Sequence, residues 1–152
     1  QVGDGLHLGG AYQDNRIIPY EGVKGAAFTL QQRRDLLDLI QQYLCTLPPG
    51  PLEARMSDVD RHLDETHFCW IGSCNVSEPF YYRIQSPIVL VEFDHHAGVY
   101  LTNKKSANFH VHTLVRTPNG NDYGIDLIRQ HYNESAHHRG DNQQHLTGRS
   151  EG

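Results

Sequence analysis

The chain has 152 residues, 38% of them hydrophobic, which is enough for one domain with a core of its own. Its formal net charge is −5, from 13 Lys and Arg against 18 Asp and Glu, and no basic run speaks for a nucleic-acid partner. No apolar run reaches the roughly 18 to 20 residues of a membrane span, and the compositional outlier is the set of 11 histidines.

Residues 1–28 show neither strand nor helix periodicity, and Gly3, Gly5, Gly9, Gly10, Gly22 and Gly25 argue against regular structure. An extended arm is expected there. It packs on the rest of the chain, or on a second chain or another copy. Thr29 with Gln32 three residues on has the spacing of a capping box. Leu36, Leu37, Ile40, Leu44 and Leu47 then recur at helical spacing. Pro48-Pro49-Gly50-Pro51 ends this helix, and Leu52, Met56, Val59 and Leu63 form the stripe of a second. The pair reads as a helical hairpin.

The pattern then changes to short strands, at residues 67–71, 79–84, 87–95 and 107–116, with a short extra one at Val99, Tyr100 and Leu101. The connections are too short for parallel crossovers, so the pairing is expected to be antiparallel. Asp122 is a natural cap for a third helix over residues 123 to about 134, with Leu127, Ile128, His131 and Tyr132 on its inner side. The expected fold class is α+β: an antiparallel sheet of four to five strands, an N-terminal helix pair and a C-terminal helix. Three parts follow: an arm at 1–28, a domain at 29–134, and a polar flexible tail at 135–152.

The chemistry gathers in residues 87–116. Side chains alternate faces along a strand, so Ile88, Leu90, Glu92, Asp94 and His96 share one parity, as do His110 and His112. If the two faces coincide, carboxylates and imidazoles converge at one end of the sheet. His-x-His on a strand suits one divalent transition metal: zinc, copper, iron or manganese. Glu92 is the first carboxylate choice, because burial after Val89-Leu90-Val91 demands a partner; Asp94 is the second. The metal set is then Glu92, His110 and His112, and the candidate catalytic groups are Asp94, Arg116 and His131. Arg116 shares parity with His112 and would orient a small polar or anionic substrate, or else pair with an acidic neighbour such as Asp122. His95 and His96 read as outer or surface groups, and His131 equally as a packing histidine. Cys45, Cys69 and Cys74 read as three reduced thiols, although Cys69 and Cys74 have the spacing to meet across a turn. Two functions stay open. One is a metal-dependent enzyme. The other is a non-catalytic binding or assembly protein whose histidine–carboxylate cluster is structural.

Several short stretches together carry a resemblance. Tyr81-Tyr82-Arg83-Ile84, Val91-Glu92-Phe93-Asp94 and Phe109-His110-Val111-His112-Thr113 are followed by Arg116, Asn121-Asp122-Tyr123-Gly124 and His131-Tyr132. In this order they resemble the C-terminal part of the domain-of-unknown-function 3500 family, which is uncharacterised and found in bacteria and fungi. The similarity runs from about Ile18 to Tyr132. It implies site candidates at Glu92, Asp94, His110, His112, Arg116, Asp122 and His131, and it implies no activity. Members are usually longer, so the chain is expected to be part of a larger family fold.

Overall fold

Thr29 turns the chain from extended arm into helix. Its hydroxyl accepts from the Gln32 N–H (3.2 Å) while the Gln32 side chain accepts from the Thr29 N–H (2.9 Å), which is the capping box that the spacing predicts. Helix α1, Leu30–Leu44, buries Leu36, Ile40 and Leu44, which recur every fourth residue on one face. Helix α2, Pro49–Arg61, begins inside the Pro-Pro-Gly-Pro run. That run is therefore the first helical turn and not a linker, because Pro49 lacks an N–H that would find no helical partner there. The expected stripe continues past α2: Val59 is its buried residue, and Leu63 is buried in the 3-10 turn Leu63–Glu65.

This computed structural model describes residues 8–9, 17–98 and 101–118, all within the unit Gln1–Asp122. Its sheet has five strands, β1 (Val23–Lys24), β2 (His67–Gly72), β3 (Phe80–Gln85), β4 (Leu90–His95) and β5 (Val111–Arg116). They lie side by side in that order, and every pair is antiparallel. The fold is α+β, as expected. The predicted third helix, with Asp122 and His131, and the tail lie outside the described residues, as do Val99 and Tyr100 of the short extra strand; Leu101 stands in a bend.

Two strands are shorter than the sequence pattern implies, and local hydrogen bonds explain both. Ser86 Oγ accepts from the N–H groups of Ile88 (3.2 Å) and Val89 (3.0 Å), and Ser86 N–H reaches Val89 O (2.8 Å). This turn delays β4 until Leu90. His110 N–H donates to Ala107 O (3.0 Å), so residues 107–110 form a turn before β5. Gly72 closes β2 at φ 113°, a conformation that favours glycine.

Strand parity gives the sheet two unlike faces. Phe68, Tyr82, Ile84, Val91 and Phe93 face the helices and join Leu36, Ile40, Leu44, Val59 and Leu63 in one core. Trp70, Tyr82 and Phe93 stack across this face, and the Tyr43 hydroxyl meets that of Tyr82. The registers Cys69↔Arg83, Arg83↔Glu92, Tyr81↔Asp94 and Asp94↔His112 set the polar residues on the opposite face. The described arm residues cross that face. Gln85 Nε2 donates to Ile18 O (2.7 Å), and Arg83 Nη2 donates to Pro19 O (3.2 Å) and to the Glu21 carboxylate (2.7 Å). Thus the core lies on one side of the sheet, and the polar side is strapped by the chain's own N-terminal residues.

Candidate metal centre

Along the polar face, β4 presents Leu90, Glu92 and Asp94, with His96 just past its end. Beside it β5 presents Arg116, Leu114 and His112, with His110 just before its start. The two predicted faces do coincide. Asp94 and His112 are direct cross-strand partners, and beyond them His96 N–H donates to His110 O (2.6 Å). One carboxylate and three imidazoles therefore share the end of a two-strand ribbon.

Asp94, His96 and His112 form a group able to hold a metal ion: one donor atom from each lies within 4.8 Å of the others. His96 Nδ1–H donates to Asp94 Oδ2 (2.8 Å), and both residues are buried. The His96 ring stacks on that of His112 with centroids 4.0 Å apart. His110 stands beside them, its Nε2 atom 3.1 Å from His112 Nε2. The loop between β4 and β5 folds back on this cluster through Asn103. The Asn103 Nδ2 group donates to His96 O and to Lys105 O (both 2.9 Å), and its Oδ1 atom accepts from His110 Nδ1 (3.1 Å).

Glu92 has a different environment. It is fully buried, and its carboxylate accepts from the Tyr81 hydroxyl (2.6 Å), Leu8 N–H (3.1 Å) and Gly9 N–H (2.7 Å). Burial and the negative charge of Glu92 push the Tyr81 hydroxyl pKa well up, so it stays a donor. Arg116 Nη1 donates to Gly9 O (3.3 Å). A β-carbon on Gly9 would come within 2.8 Å of Arg116 Nη1 and 3.0 Å of Glu92 Oε2, so the strap passes closely over both side chains.

The structure thus brings together Asp94, His110 and His112 from the sequence-predicted set. It places Glu92 one step along the face, against the strap, and Arg116 opposite Leu90. Four residues at about 3.3 Å each put Arg116 about 13 Å along the strand from Asp94. His131 and Asp122 lie outside the described residues. His96, read from the sequence as an outer group, is 5% exposed and central to the cluster. The signal was there: it continues the parity of Glu92 and Asp94. His95 points to the helix face, where Nδ1 accepts from Phe80 N–H (2.9 Å) and the ring meets Phe80 and Phe93 edge-on.

A family model described as a protein of unknown function (DUF3500) matches residues 4–125, starting and ending earlier than the resemblance read from the motifs. No curated protein matches the chain. No solved structure matches it.

Proposed function

The chain belongs to the DUF3500 family, whose function is unknown, and we propose that it is a metal-dependent enzyme with its metal at the β4–β5 end of the sheet. The observation that carries this reading is the group Asp94, His96 and His112, with donor atoms within 4.8 Å of one another. Two imidazoles and one carboxylate are a donor set that zinc, copper, iron and manganese accept, with positions left for water or substrate. The His110–His112 spacing agrees: two nitrogens about 2.0 Å from a tetrahedral metal sit roughly 3.3 Å apart. Of the three ligands expected from the sequence, His112 stays in the set, His110 stands at its edge, and Glu92 serves the strap. A bound metal would polarise a substrate or lower the pKa of a bound water. In the metal-free chain Asp94 Oδ2 accepts from His96 Nδ1–H, so a metal held by both residues would take the place of that hydrogen. Arg116 remains a candidate for an anionic group only where a substrate spans the roughly 13 Å between it and Asp94.

Calorimetric titration of metal-stripped protein with each of the four ions tests the proposal. It predicts one site per chain, lost in Asp94→Ala and in His112→Ala. Absence of binding by the native protein to all four would sink it.

A second reading keeps the cluster as a structural device in a binding or assembly protein. It is favoured by burial: Asp94 is 6% exposed, His96 5% and His110 7%. On that reading the titrations are flat, and Asp94→Ala lowers stability without any metal dependence.

A further inference from the structure

We infer that Asn103 is a positioning residue for the metal: it fixes the tautomer of His110 and so makes His110 an additional ligand. The inference rests on the proposed metal reading and adds to it a residue outside the His/Asp group. Its basis is hydrogen-bond logic. Asn103 Nδ2 lies 2.9 Å from two carbonyl oxygens, those of His96 and Lys105. Carbonyls only accept, so the amide nitrogen must occupy that side. The other orientation would set the Asn103 oxygen against two carbonyl oxygens. Asn103 Oδ1 is therefore the atom 3.1 Å from His110 Nδ1. An amide oxygen only accepts, so His110 Nδ1 carries the hydrogen. In the neutral ring the Nε2 atom then has a lone pair, and it is directed at His112 Nε2, 3.1 Å away. In the metal-free protein a hydrogen on His112 Nε2 fills this gap. A cation takes its place once His112 adopts its Nδ1–H tautomer, with no net loss of protons.

Asn103 holds the outer ring nitrogen of His110 as a donor and turns the other nitrogen inward. The same amide ties the β4–β5 loop to His96 O, so the loop and the ligand are set by one side chain. The sequence places Asn103 in a polar loop beside Lys104 and Lys105, where nothing distinguishes it from a solvated residue.

Two measurements test this. In the metal-free native protein, nitrogen NMR of the histidine rings should show His110 as the Nδ1–H tautomer, and Asn103→Ala should let it populate the other. With cobalt(II) as the probe, Asn103→Ala should bind roughly 10- to 100-fold more weakly than native, with altered visible bands. A native His110 carrying its hydrogen on Nε2 overturns the inference, and that result needs no folded variant. Native-like cobalt affinity and spectrum in Asn103→Ala also overturn it. If the native protein itself binds no cobalt, the metal reading falls first. Native binding with an indifferent Asn103→Ala removes the role of Asn103 alone.

Discussion

Single residues on the two sheet faces obey different physics. Glu92 is buried as an anion because three donors meet it, two of them backbone N–H groups of the arm. Glu92→Gln puts an amide where one carboxylate oxygen stood and sets N–H against N–H. It should cost about 1 to 3 kcal/mol in urea unfolding and loosen the arm to proteolysis. On the other face His95 is held neutral, because burial among Phe80 and Phe93 lowers its pKa, against the smaller opposing pull of Asp94. The unfolded chain thus binds a proton more readily than the folded one. The stability that His95 contributes is present above its ordinary pKa of about 6.5 and is lost as pH falls toward its lower folded value. Urea midpoints measured from pH 7.5 down to 5 should fall more steeply in native protein than in His95→Gln. Equal slopes would show that His95 does not titrate in this way.

At the scale of elements, what was legible in the sequence is what local periodicity encodes. The capping box at Thr29 and Gln32, the stripe of α1 and the antiparallel strands follow from residue spacing alone. Thr29→Ala should therefore cost about 1 kcal/mol, and Ile40→Ala, at a position with no exposure, about 2 to 5 kcal/mol, both by chemical denaturation. A smaller loss at Ile40 than at Thr29 would contradict the core assignment. Strand ends were less legible, because they depend on the Ser86 hydroxyl and on the turn at Ala107–His110, each a competition between side-chain or turn bonds and ladder bonds. The two-residue strand β1 has too little sequence to show a period. It exists because the arm pairs with β2 at Val23↔Phe68 and Lys24↔His67.

At the scale of the whole molecule the sheet divides the labour. Its helix face supplies the core, while its other face holds the strap near Arg116 and Glu92 and the donor cluster at the far end. Parity made Asp94, His110 and His112 legible as neighbours. The choice between Glu92 and Asp94 was not legible, because it turns on where Leu8 and Gly9 lie, and that is a contact across more than 80 residues. A ligand that binds only the folded chain stabilises it, by about 2.7 kcal/mol at a concentration 100 times its Kd. Zinc should thus raise the melting temperature of native protein and leave a His96→Ala, His112→Ala double variant unmoved. Elemental analysis of protein purified without chelator, alongside that double variant, shows whether the chain carries a metal at this cluster. About one transition metal per chain is expected in the native protein and none in the variant. A native protein without metal, or equal metal in both, would contradict it.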